Sequence, residues 1–77
     1  RILNETEICD SEGNIIRPDR MMIKDKKAVV LDYKTGQPLN EHQQQMLGYK
    51  DVLEKTGFTS VEAFLYYAES GEMLAVG

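Results

Sequence analysis

Asp19, Asp32 and Lys34 are the residues whose types and spacing point to chemistry. If the chain reverses at Asp25-Lys26 as a two-residue turn, Lys24 faces Lys27, Ile23 faces Ala28 and Met21 faces Val30. One step further down the ladder, Asp19 faces Asp32, and a four-residue loop from Lys24 to Lys27 keeps the same register. Directly opposed residues hold their Cβ atoms ~4.5–5.5 Å apart. Period-two alternation then puts Lys34 on the face of Asp32. Like charges so close oppose folding unless something cationic sits between them, most simply a divalent metal ion. Such a constellation is hydrolytic.

Phosphodiester hydrolysis needs a nucleophilic water, neutralisation of a pentavalent phosphorus transition state, and stabilisation of the leaving oxygen. Mg²⁺ held by a few carboxylates serves all three, because it keeps several waters and accepts phosphate oxygens. A neighbouring lysine orients the attacking water and stabilises developing negative charge. Asp19, Asp32 and Lys34 form that minimum set, with the backbone carbonyl of Tyr33 as a further candidate metal ligand.

The elements that must carry these residues are legible in the patterning. Ile2 to Cys9 alternates loosely and ends in the turn cluster Asp10-Ser11-Glu12-Gly13-Asn14. Ile15 to Lys24 reads as a second strand, with Pro18 confined to an edge, a bulge or a strand end because it lacks an N–H. Ala28 to Thr35 is a third strand, stopped by Gly36 and Pro38. Asn40, with Gln43 three residues on, predicts the N-cap of a helix that runs to about Thr56 and stops at Gly57. Its inward stripe is Met46, Tyr49, Val52 or Leu53, and Thr56. Val61 to Ala68 is apolar apart from Glu62 and predicts a central strand buried on both faces. Ser70-Gly71 turns into a last strand from Met73 to Val76.

The fold class is therefore α+β (or α/β): a mixed sheet of three antiparallel strands, a crossover helix, then two further strands. The crossover has the length to lay the fourth strand parallel to the third. One sheet face would lack a second helical layer, which predicts a single domain over residues 1–77 that is a fragment of a longer protein. Composition is ordinary for a globular domain, 42% hydrophobic and 29% charged. No apolar run approaches the ~20 residues of a membrane span. The single Cys9 excludes an internal disulfide and any four-cysteine metal site within the chain, and fits a reducing cytoplasm. A net charge of −4 argues against a simple DNA-binding module. It argues less against a nuclease, where bound divalent ions cancel carboxylates at the point where phosphate arrives.

The text Arg17-Pro18-Asp19-Arg20, then Val29-Val30-Leu31-Asp32-Tyr33-Lys34-Thr35-Gly36, then Gln45-x-x-x-Tyr49, resembles the PD-(D/E)xK nuclease superfamily. The likeness is to the nuclease domain at the C-terminal end of RecB- and AddA-type helicase–nucleases, and it runs from about Ile15 to Tyr49. It implies a restriction-endonuclease-like sheet, Mg²⁺ or Mn²⁺ as cofactor, and DNA as substrate. It implies a covalently linked helicase domain of the UvrD type, and a partner subunit in the parent, acting in DNA end processing and recombinational repair. By the same resemblance Asp19 and Asp32 bind metal, Lys34 is the base or water-positioning group, and Gln45 and Tyr49 support the site and its DNA. Gln45 and Tyr49 are also i, i+4 neighbours on one helical face. The group carries an upstream helix with a His and a further acid that nothing here matches, Glu5 or Glu7 being partial stand-ins. A neighbouring copy could supply that helix, which makes a homodimer an allowed assembly. No GxxxxGK[ST] phosphate loop occurs, so any motor lies elsewhere in the parent.

Blander roles compete at several positions. Arg17 and Arg20 flank Asp19 and either contact the DNA backbone or pair with an acid. His42 reads as a solvated histidine, Lys24, Lys26 and Lys27 as turn decoration, Cys9 as a small apolar residue, and Met21, Met22, Met46 and Met73 as core filling. Two other functions stand beside the nuclease: a catalytically inactive domain of the same ancestry that binds DNA or assembles a complex, and an unrelated interaction domain whose acidic pair is incidental.

Overall fold

Apolar residues at alternate positions organise most of this chain into strands. The computed structural model describes residues 2–4 and 7–77. In chain order it contains β1 (Ile2–Asn4), β2 (Ile8–Cys9), β3 (Ile15–Ile16), β4 (Arg20–Lys24), β5 (Lys27–Lys34), α1 (Asn40–Lys55), β6 (Ser60–Tyr67) and β7 (Glu72–Val76). The class is α+β: a mixed five-stranded sheet in the order β1-β4-β5-β6-β7 with one helix, and a separate two-stranded ribbon, β2-β3.

The β4–β5 hairpin has the anticipated register, pairing Lys24 with Lys27, Ile23 with Ala28 and Met21 with Val30. Asp25 makes the reversal with φ of 57°, a left-handed conformation that Asp tolerates better than most residues. The helix crosses over and returns the chain so that β6 lies parallel to β5. Both ends of that pairing are pinned, by the Thr59 N–H on Lys26 O (2.8 Å) and the Ala68 N–H on Lys34 O (3.0 Å).

Three expectations need correction. The first two anticipated strands each divide in two. Pro18, in the break between β3 and β4, cannot donate to a ladder, so one strand cannot run through it. The chain therefore leaves the main sheet after β1, makes the β2–β3 ribbon, and rejoins at β4. Secondly, β6 lies next to the edge strand β7, and β5 is central. Ala63, Leu65 and Tyr67 of β6 are buried, whereas Phe64 and Tyr66 on its other face are only half-buried. Thirdly, Leu39, extended at φ −126° and ψ 147°, occupies the N-cap without a side-chain hydrogen bond. Asn40 is already helical there, so its side chain cannot act as the cap.

The helix ends as anticipated. Thr56 is the C-cap, Gly57 adopts φ of 110°, and Gly57 and Phe58 donate to Glu54 O and Leu53 O, the two bonds of a Schellman motif. Met46, Tyr49, Val52 and Leu53 are buried, while Thr56 of the anticipated stripe is exposed as the cap. With Met21, Val30, Ala63 and Leu65 they form one core between helix and sheet. Val30, Leu53 and Leu65 are fully buried, each stabilising the fold by about 1.5–3 kcal/mol.

The opposite face of the sheet carries no helix among the described residues. Ile2, Met22, Tyr33 and Met73 are exposed there, so Met22 and Met73 do not fill the core, whereas Met21 and Met46 do. Cys9 is exposed too. Among the described residues no helix is long and apolar enough to cross a membrane.

Candidate active site

Asp19 lies one residue outside the β4–β5 ladder, whose last pair is Arg20 with Leu31. Side chains extend the ladder by one rung. The Asp19 N–H donates to Asp32 Oδ1 (2.8 Å), and the Tyr33 N–H donates to Asp19 Oδ2 (2.9 Å). This reciprocal clasp brings the two carboxylates together, as the hairpin arithmetic requires. Each spends one oxygen on a backbone donor.

Lys34 follows Asp32 on the same face, its Nζ 3.6 Å from Asp32 Oδ2. Being only a donor, its ammonium turns the Gln45 amide so that Oε1 accepts, at 2.7 Å. The amide nitrogen Nε2 then donates to Tyr49 Oη at 3.0 Å. Tyr49 in turn donates to Asp32 Oδ2, at 3.4 Å. Three hydrogen bonds and the Lys34–Asp32 ion pair thus close a ring of four residues from β5 and α1. Its register comes from the antiparallel packing of the helix over the sheet, which sets Gln45 over Lys34 and Tyr49 over Asp32.

Burial pushes the Tyr49 phenol up to about 12, with the Asp32 charge, the hydrogen bond to it and the Asp19 charge adding to the effect. At neutral pH Tyr49 is therefore a fixed proton donor to Asp32 and not a base. Asp32 is 4% exposed, and its net charge is offset by Lys34 and by its hydrogen bonds.

This donor set suits a hard cation of low protein coordination. Mg²⁺ is held by one or two carboxylates and keeps the rest of its shell for water and phosphate. Asp19 and Asp32 are two carboxylates that could hold such an ion; among the described residues no group of three or more His, Cys, Asp and Glu that could hold a metal gathers.

The other candidates are placed elsewhere. Arg17 is exposed and ion-paired with Glu7, which removes Glu7 as a stand-in acid for the site. Glu5 lies outside the described residues. Arg20 follows Asp19 directly and so points to the opposite face by alternation, where its Nε is buried with no hydrogen-bond partner among the described residues. The Tyr33 ring is also on that face, edge-on to Tyr66 with centroids 6.1 Å apart. Only its backbone reaches the site.

His42 is not merely solvated. It is half-buried, with Nδ1 3.0 Å from the hydroxyl of Tyr67, which is 1% exposed and pairs with Lys34 across β5 and β6. His42, Gln45 and Tyr49 form one stripe at i, i+3 and i+7, a spacing from which this neighbour of the site was readable. No family of proteins, curated protein or solved structure matches the chain.

Proposed function

We propose that this chain is a metal-dependent DNA nuclease module of the PD-(D/E)xK, RecB-like kind, with a restriction-endonuclease-like arrangement of its sheet. It hydrolyses phosphodiester bonds during DNA end processing and recombinational repair, in the cytoplasm, attached to an ATP-dependent helicase in the parent protein. The observation that carries this is the convergence of Asp19, Asp32 and Lys34 on one spot, locked by Gln45 and Tyr49.

Asp19 and Asp32 would hold Mg²⁺ or Mn²⁺. When bound, the ion supplies charge neutralisation on the phosphate and a more acidic water. The chain's own residues do the rest. Lys34 Nζ, hydrogen-bonded to Gln45 and ion-paired with Asp32, has further N–H groups with which it orients the attacking water and stabilises negative charge on phosphate oxygens. Gln45 fixes the ammonium through Oε1. Tyr49 holds the Asp32 carboxylate in orientation and excludes water from its inner side.

Lys34→Ala tests the assignment. It removes the water-orienting ammonium but neither carboxylate, so cleavage of labelled DNA should be lost while Mn²⁺ binding survives. Normal cleavage by the variant refutes the role given to Lys34. One observation favours a second reading, a catalytically inactive nuclease-like domain that binds DNA or assembles a repair complex. Asp32 Oδ2 already has Tyr49 and Lys34 as partners, so the carboxylates have a structural use without metal. Absence of saturable Mn²⁺ binding supports that alternative.

A further inference from the structure

Tyr67 is 1% exposed, and its hydroxyl has one partner among the described residues, His42 Nδ1 at 3.0 Å. A buried hydroxyl hydrogen left without an acceptor is costly, so the phenol donates and Nδ1 accepts. The neutral imidazole then carries its own hydrogen on Nε2. Nε2 lies on the ring edge turned away from the Tyr67 hydroxyl, and His42 is only half-buried, so this donor opens outward. It has no acceptor among the described residues. Glu41 precedes it and Glu72 pairs with Tyr67 across β6 and β7, but neither is ion-paired with the ring. The fold therefore fixes the direction of a donor that it does not itself use.

Its place decides what that donor meets. Tyr67 is the register partner of Lys34 in the parallel β5–β6 pair, about 4.8 Å away at the backbone. His42 stands over Tyr67, one helical turn before Gln45, whose Oε1 holds Lys34 Nζ. Asp19 reaches Asp32 from the other flank of β5, the β4 side. Lys34 is thus bracketed, with the carboxylate clasp toward β4 and the imidazole toward β6.

We infer that His42 is a substrate-positioning residue, its Nε2–H donating to a non-bridging oxygen of the phosphate next to the one hydrolysed. The inference rests on the hydrolytic reading above. A diester chain whose scissile phosphate lies over the carboxylates and Lys34 continues past Lys34 on the β6 side, where His42 is the donor at hand. An N–H on an anionic oxygen is a charge-assisted hydrogen bond, the stronger kind. Tyr67 acts through His42, by holding the tautomer and the ring.

Two measurements test this. His42 is the only histidine, so nitrogen NMR of the imidazole reads one ring without ambiguity. The wild-type chain should show hydrogen on Nε2, and Tyr67→Phe should lose that preference. The second measurement maps cut sites in a short single-stranded oligonucleotide with Mg²⁺, in which one linkage at a time is an uncharged methylphosphonate. In the wild-type chain, replacing the linkage on one side of the scissile bond should lower kcat/KM about tenfold, the loss of one such bond. His42→Leu should show the same loss on the unmodified strand, carried by KM, and should then be indifferent to the methylphosphonate. His42→Gln keeps an N–H donor and should recover part of the loss. Circular dichroism should show the fold retained in all three variants. A ring with hydrogen on Nδ1, a methylphosphonate effect undiminished in His42→Leu, or a loss carried by kcat overturns the inference and leaves hydrolysis standing. No cleavage by the wild-type chain removes the hydrolytic reading, and the inference with it.

Discussion

Asp32 accepts the Asp19 N–H and the Tyr49 hydroxyl and is ion-paired with Lys34, all at 4% exposure. An amide there would point two hydrogens at some of those donors. Asp32→Asn should therefore destabilise the metal-free chain by about 1–3 kcal/mol in urea denaturation. Asp19→Asn keeps an oxygen for the Tyr33 N–H and relieves like-charge repulsion, so it should be close to neutral. An incidental acidic pair would instead give stabilisation by both changes together. Tyr49 offers a separate check. Its folded value near 12 lies above the usual phenol value of 10, so the stability it contributes is full below pH 10 and is lost as pH rises toward 12. Ultraviolet titration of the metal-free chain should show this late phenol, and Asp32→Asn should move it down but not to 10, since burial remains the largest cause. At this scale the sequence made the acidic pair and the Gln45–Tyr49 neighbours legible, because strand and helix periods are fixed. It hid Arg20's turn to the far face only until alternation was applied to Arg20 as it was to Lys34. His42 was missed because its partner, Tyr67, comes from a strand 25 residues away.

Among the elements, the β4–β5 hairpin matters most, since a one-residue slip in its register would send Asp32 and Lys34 to the face away from the helix. Asp25 sets that register from the left-handed region, at φ 57°. Proline is held near −65° and cannot replace it. Asp25→Pro should cost more than about 1 kcal/mol of stability and abolish Mn²⁺ binding from a position remote from the carboxylates. The β2–β3 ribbon has a different lock. Asp10 Oδ1 accepts the N–H groups of Glu12 (2.9 Å) and Asn14 (3.0 Å), and the hydrogen bond from the Asn14 side chain is the main reason its carboxyl is held below the usual range. A depressed carboxylate stabilises above its unfolded value and loses that contribution as pH falls through the folded one. Protection of the Ile8–Ile16 amides against exchange, relative to their intrinsic rates, should therefore fall selectively below about pH 4, and Asp10→Asn should flatten that dependence. Hairpin register and helix end were legible because turn chemistry is local. The splitting of the early strands was not, because the departure of β2 and β3 into a ribbon over α1 depends on long-range packing. The capping-box pattern at Asn40 misled by one residue for the same reason: docking of α1 on the sheet, not the cap, decides where the helix begins.

For the molecule as a whole, one helix covers one face of a five-stranded sheet, and the site sits where that helix crosses the C-terminal end of the parallel β5–β6 pair. The core holds the same helix that carries Gln45 and Tyr49, so stability and site geometry are coupled. Leu53→Ala, in the centre of that core, should cost about 2–5 kcal/mol and blunt metal binding only as far as it unfolds the chain. The α+β class and the parallel crossover followed from element order. The placement of β6 beside the edge did not, because an apolar run looks alike whether its outer face is covered or left half-open. The central claim is that Asp19 and Asp32 share a divalent ion within reach of Lys34, and calorimetric titration with Mn²⁺ tests it most directly. Saturable one-site binding that Asp19→Asn and Asp32→Asn each abolish, and that Lys34→Ala retains, is the expected result. No saturable binding, or binding indifferent to both aspartates in folded variants, contradicts the account.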